Sequence, residues 1–119
     1  TGLAVELRLP ASELQVPVGA IRHLGYIVTE ALTNVWKHAG VKQVTVTVRR
    51  VNHRATVQVV DEGQGFDLSG IERGRTGLGL STMQERAQEI GGDVDIRSAV
   101  GGGTQVTVSL PLADYKNGF

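Results

Sequence analysis

The chain has 119 residues, 40% of them apolar, and its 12 basic and 12 acidic side chains cancel. That length suits one domain with a single sizeable core, and the balanced charge, with no dense basic stretch, leaves no electrostatic footprint for nucleic acid. No apolar run approaches the ~18 residues of a membrane span, no secretory signal opens the chain, and the lack of cysteine excludes disulfides and thiolate metal sites, as suits a cytoplasmic setting.

Leu3, Val5, Leu7 and Leu9 alternate with polar or small residues and predict a first strand. Pro10 and Pro17 bracket a loop, and a helix is predicted from about Val18 to Ala39, with Gly40 as its stop. Val44, Val46 and Val48 alternate along a second strand. Asn52-His53 marks a hairpin turn, and a strand returns over Ala55 to Val60. Residues 62–77 lack periodicity and read as a long functional loop. A second helix follows from about Leu78 to Ile90, with Leu80, Met83, Ala87 and Ile90 inward, and Gly91-Gly92 ends it. Two more strands, Asp93 to Ser98 and Thr104 to Leu110, complete the fold. The expected architecture is a two-layer α/β sandwich: one mixed, mostly antiparallel sheet of about five strands with its helices on one face. The domain is expected over residues 1–112, with 113–119 as a frayed tail.

The first helix carries the most informative stretch, Glu30-Ala31-Leu32-Thr33-Asn34-Val35-Trp36-Lys37-His38-Ala39. At about 100° per residue, with Glu30 at zero, Asn34 falls near 40°, Lys37 near −20° and His38 near 80°. Ile21, Leu24, Val28, Ala31, Leu32, Val35 and Ala39 gather on the opposite, core side. The polar face thus offers a carboxylate, an amide, an ammonium and an imidazole, a set suited to a metal-bound polyanion. Asn34 offers an amide oxygen of the kind Mg²⁺ accepts. Lys37 lies one turn on, where it can neutralise phosphate, and Glu30 one turn back, where it can order a water or act as a base. His23 shares this sector two turns away and reads as a surface histidine, as does His53 in its turn.

Three glycine motifs follow. Asp61-Glu62-Gly63-Gln64-Gly65-Phe66 leaves a strand; its carboxylate can accept from a purine amino group while Gly63 and Gly65 permit close backbone approach. A polar strand-end turn explains the same residues equally well. Gly74-Arg75-Thr76-Gly77-Leu78-Gly79-Leu80 opens the second helix, where backbone N–H groups bind phosphate. It is neither the dinucleotide fingerprint nor a P-loop. Gly101-Gly102-Gly103-Thr104 precedes the last strand, and Thr104 can hydrogen-bond a ligand or simply close a Gly-rich hairpin.

In this order the motifs resemble those of the GHKL ATPase superfamily, the Bergerat nucleotide-binding fold, and most of all the ATP-binding domain of two-component sensor histidine kinases. EALTNVWKHA matches the N box, DEGQGF and GRTGLGL the two glycine boxes, and GGGT the last; the likeness runs from about Leu3 to Leu110. GLGL followed by MQERA is similar to the subfamily whose regulators carry helix-turn-helix outputs.

The resemblance implies that the cofactors are ATP and Mg²⁺. Asn34 coordinates the metal, Lys37 and His38 contact phosphate, Asp61 takes the adenine amino group with Thr104 nearby through water, and Gly63 and Gly65 shape the adenine pocket. Thr76, Gly77, Leu78, Gly79 and Leu80 cradle phosphates beneath a short lid, residues 66–76, expected to be mobile without ligand. Glu30 holds the position of the general base in the family's ATPases; a histidine kinase needs no activated water, so it is expected to order the metal shell. His23, His38 and His53 all lack the setting of a phosphoacceptor. The chain opens on Thr1 and its one methionine is Met83, which reads as a piece of a longer protein. The implied partners are a separate dimerisation and phosphoacceptor domain of a homodimeric parent, which is free to carry a membrane anchor, and a response regulator. The fragment itself is expected to be monomeric, without direct membrane contact. An anti-sigma-factor serine protein kinase of the same superfamily, and a nucleotide-gated interaction module without chemistry, are the alternatives.

Overall fold

A computed structural model describes residues 2–67 and 79–112. The expectations placed on Thr76, Gly77, Leu78, most of the lid and the 113–119 tail lie outside the described residues. Five strands form one sheet: β1 (Ala4–Arg8), β2 (Gln43–Val51), β3 (Arg54–Asp61), β4 (Asp93–Ser98) and β5 (Thr104–Pro111), in the spatial order β1-β2-β3-β5-β4. Only β1 and β2 are parallel; the other three pairings are antiparallel. A parallel pair needs a crossover, and the first helix, α1 (Ala20–Asn34), supplies it. The second, α2 (Leu80–Glu89), leads into β4, and the helices lie on one face of the sheet, as expected.

The strands follow their alternation. In β3, Ala55, Val57, Val59 and Asp61 are buried and the residues between them are half-buried. In β5, Val106, Val108 and Leu110 are buried. Val57, Val59, Val106 and Val108 meet Ile27, Ala31, Val35 and Ala39 from the first helix and Leu80, Met83 and Ala87 from α2 in one core. A smaller cluster of Ala20, Ala55 and Leu110 closes the far end under Leu14, Val16, Ile90 and Leu112. Asn52 takes a positive φ of 57° in the two-residue turn between β2 and β3, as a tight hairpin demands.

Three features depart from the sequence reading. The helix does not stay α-helical to Ala39: residues Val35–Ala39 form a π-helical turn, ended by Gly40 at a left-handed φ of 74°. Ile21 lies in the expected core sector yet is 61% exposed: the buried residues of α1 are Ala20, Ile27 and Ala31, a stripe that leaves Ile21 outside its margin. His23 is no surface histidine. Its side chain is only 14% exposed, because the polar sector of α1 is roofed by α2: His23 Nδ1 lies 3.3 Å from Glu89 Oε2, and Arg86 stacks on Tyr26 at 4.5 Å. The first strand is real, but its apolar row stands at the sheet edge, with Val5, Leu7 and Leu9 exposed.

Burial decides the cost of truncation. Ile27→Ala and Met83→Ala, at positions fully shielded from solvent, are each expected to lower unfolding stability by about 2–5 kcal/mol. Ile21→Ala is expected to change it by less than about 0.5 kcal/mol. Urea denaturation midpoints at unchanged slope measure all three.

Candidate functional site

The core-facing register of β3 carries one residue too far for an apolar strand. After Ala55, Val57 and Val59 the next inward position is Asp61, 5% exposed and the one buried charged side chain among the described residues. Opposite it in the sheet stands Thr104, and opposite Thr104 on the other side stands Ser98. Cross-strand partners share a face, so a carboxylate and two hydroxyls form a row across β3, β5 and β4, directed toward the helices.

Above this row lies a small, mostly apolar pocket. Asn34 and His38 enter it from the first helix, Asp61, Gly65 and Thr104 from the strand ends, and Leu80 from the start of α2. Ala31, Val35 and Ala39 form an apolar wall at helical spacing; Val59, Val106 and Phe66 complete the lining. An apolar slot with a carboxylate at its base accommodates a flat, weakly polar ring that carries an N–H donor.

Backbone contacts fix this geometry. Gly63 N–H donates to Asp61 Oδ1 at 2.8 Å, an Asx turn that orients the carboxylate. Gln64 N–H donates to Ala39 O at 3.0 Å, the Gln64 side-chain amide donates to His38 O, and Gly101 N–H donates to Gln64 O at 2.7 Å. The loop after β3 is thereby bound to both the π-helical turn and the glycine turn before β5. Two glycines make this possible. A Cβ on Gly63 would stand 2.3 Å from Ala39 O, and one on Gly65, at a φ of +63°, would stand 2.1 Å from Ala99 O.

Asn34, His38, Asp61, Gly65, Leu80 and Thr104 are thus brought to one pocket. Gly63 acts behind it. Lys37 is exposed on the π-helical turn and is not part of the pocket lining. Glu30 sits lower on the helix, half-buried in the seam with α2. Its Oε2 is 2.7 Å from where a Cβ on Gly79 would be, so the carboxylate lies against the backbone that opens α2. The apolar lining was legible as helix and strand periodicity. Ser98 was not singled out from the sequence. Its hydroxyl accepts from Phe66 N–H at 2.9 Å, donates to Gly103 O at 2.9 Å and meets Thr104 Oγ1 at 2.8 Å. Only the β4–β5 register reveals that position.

Comparison with known proteins places this α/β fold, with its buried carboxylate under a helix terminus and its flanking glycine turns, in a nucleotide-binding class. Residues 19–114 match the family model of histidine kinase-, DNA gyrase B- and HSP90-like ATPases, and the chain belongs to that family. It is 33% identical over 114 residues to the sensor histidine kinase LiaS of Bacillus subtilis, covering 96% of this chain and 31% of that protein. It is 37% identical over 92 residues to the sensor histidine kinase YhcY of the same organism, covering 77% and 24%. The chain therefore spans a third or less of these relatives. The fold is that of the Erythrobacter litoralis EL346 blue-light activated histidine kinase, with a TM-score of 0.79 and 24% identity, over 98% of this chain and 37% of that one. Domains of this family bind ATP. Among the described residues, no helix is long and apolar enough to cross a membrane.

The close approach at Gly63 gives a direct check. Gly63→Ala is expected to lower stability by about 1–3 kcal/mol. Gly102→Ala, whose Cβ would sit in ordinary contact 3.5 Å from Ala99 O, is expected to change it by less than about 1 kcal/mol. Chemical denaturation of the two variants against the parent measures the difference.

Proposed function

We propose that this chain is the ATP-binding catalytic domain of a sensor histidine kinase, donating the γ-phosphoryl of ATP to a histidine on a separate dimerisation and phosphoacceptor domain for relay to a response regulator. The observation that carries the reading is Asp61: a carboxylate at the base of an apolar slot, opposite Thr104 and beneath the helix that brings Asn34 and His38.

On this reading Asp61 accepts from the adenine amino group, and the apolar walls from Ala31, Val59 and Val106 hold the ring. Asn34 holds Mg²⁺ through its amide oxygen. Among the described residues no three His or acidic side chains cluster as a metal cage. A small hard cation such as Mg²⁺ keeps several waters and takes phosphate oxygens. His38 and Lys37 sit on the π-helical turn to contact phosphate, Gly79 and Leu80 frame the phosphates at the start of α2, and Thr76, Gly77 and Leu78 are assigned to phosphate by their motif alone. Glu30, lodged against Gly79, positions that turn or the metal's water shell. ATP with its metal supplies an activated phosphoryl group. The protein's contribution is orientation and charge neutralisation around the transferring group. The domain works in the cytoplasm, within a homodimeric parent.

Asn34→Ala is expected to remove the Mg²⁺ dependence of ATP affinity while leaving the melting temperature within a few degrees of the parent. Calorimetric titration with and without Mg²⁺ reads it, and an unchanged dependence moves the metal site elsewhere. The transfer itself is tested by mixing the domain with a cognate acceptor-helix domain and γ-labelled ATP. Acid-labile label on a histidine supports the proposal. Acid-stable label on a serine identifies a serine kinase instead, and ATP binding without label reduces the chain to a nucleotide-gated module.

A further inference from the structure

The hydroxyl of Ser98 has three neighbours, and their chemistry leaves only one arrangement of protons. Phe66 N–H can only donate, so Ser98 Oγ accepts from it at 2.9 Å. Gly103 O can only accept, so Ser98 spends its single proton there, also at 2.9 Å. The third neighbour, Thr104 Oγ1 at 2.8 Å, then has to be the donor, because Ser98 has no second proton. With its one proton turned toward Ser98, Thr104 keeps only lone pairs for the pocket it lines. Asp61 stands opposite Thr104 in the sheet, and an ionised carboxylate likewise only accepts. Its bond from Gly63 N–H occupies one of about four lone-pair directions.

We propose that Ser98 is a specificity-determining positioning residue: it fixes the direction of the Thr104 proton, so the sheet side of the pocket is lined by acceptors alone and selects a 6-aminopurine nucleotide over a 6-oxopurine one. This rests on the nucleotide-binding function proposed above and adds a mechanism of base choice to it. An amino group brings hydrogens to this wall. A 6-oxo group brings lone pairs against lone pairs, and a mismatched buried polar pair is far costlier than a weak one. Ser98 does not touch the base; it acts through Thr104. Were Thr104 free to rotate, its hydroxyl would donate to a carbonyl as readily as it accepts from an amine, and the wall would lose its polarity.

The test uses this chain with ATP and ITP, both as Mg²⁺ complexes, which differ in the 6-substituent and the N1 proton that accompanies it. The parent is expected to bind ATP more tightly than ITP. Ser98→Ala is expected to narrow the ATP/ITP affinity ratio roughly tenfold, mainly by tightening ITP, since Thr104 regains a proton to donate. Ser98→Thr, which restores the hydroxyl, is expected to return the ratio to within about twofold of the parent. In a Thr104→Val background, Ser98→Ala is expected to leave the ratio where Thr104→Val alone puts it. Partial unfolding scales both affinities alike and leaves the ratio unaffected; Ser98→Cys, with a weak donor of similar size, gives a second narrowing variant. A Ser98→Ala protein that keeps the parent's melting temperature and shows an unchanged ATP/ITP ratio overturns the inference, as does further narrowing in the Thr104→Val background. In either case tight ATP binding by the parent leaves the nucleotide-binding function standing. A parent that binds neither nucleotide overturns both.

Discussion

The site depends on one backbone contact: the carbonyl of Ala39, last residue of the π-helical turn, accepts the N–H of Gln64 while lying where any side chain at position 63 would have to be. This contact presses the end of the first helix onto the loop that leaves β3. A π-helical turn is wider than an α-turn and is uncommon outside functional sites. Here it forms the helix end over the strand ends, where His38 joins Asn34, the last α-helical residue, in the pocket with Asp61. Gln64 then ties the same loop to Gly101, and Ser98 ties Phe66 to Gly103. Three segments distant in sequence become one rigid frame, with few side-chain atoms spent on holding it.

The frame lets the fold tolerate an unfavourable residue. A carboxylate at 5% exposure in a largely apolar slot loses most of its hydration, and one charge-assisted bond from Gly63 N–H offsets only part of that cost. An apolar residue at position 61 would continue the β3 pattern and close the core more cheaply. Local sacrifice of stability where every neighbouring position obeys the core pattern is the mark of a functional position. It also explains why the rest of β3 and β5 is so regular: Val57, Val59, Val106 and Val108 supply the burial that carries Asp61.

Elements whose identity rests on local pattern were legible in the sequence. The alternating valines of β2, β3 and β5, the Asn52-His53 turn and the Gly40 stop appear where periodicity and turn chemistry put them. What failed to show depends on other elements. A helical wheel groups Ile21 with the apolar residues but does not show how narrow a stripe is covered, which takes in Ala20 and leaves Ile21 out. It marks His23 as polar but cannot show that α2 covers it, opposite Glu89. It assumes a constant turn, and so misses the π-helical segment that alters where Lys37 and His38 point. Ser98 belongs to no glycine motif; its importance comes entirely from facing Thr104 across the β4–β5 ladder. The Asp61, Asn34 and Thr104 positions were legible because their motifs combine chemistry with backbone constraint, and glycine carries both kinds of information.

Under the proposed function, the histidines show why this chain holds only the donor's side of a transfer. An in-line acceptor has to approach the terminal phosphoryl from open solvent. His53 lies in the turn at the start of β3, while Asp61 lies at its end. At about 3.3 Å per residue that places it roughly 26 Å from the base of the pocket. His23 is enclosed between α1 and α2 against Glu89, beneath the surface an acceptor would need to present. His38 is already part of the pocket wall, on a turn whose backbone is bound to Gln64, which places its imidazole to hold phosphate. Transfer then requires a mobile partner to bring the acceptor in.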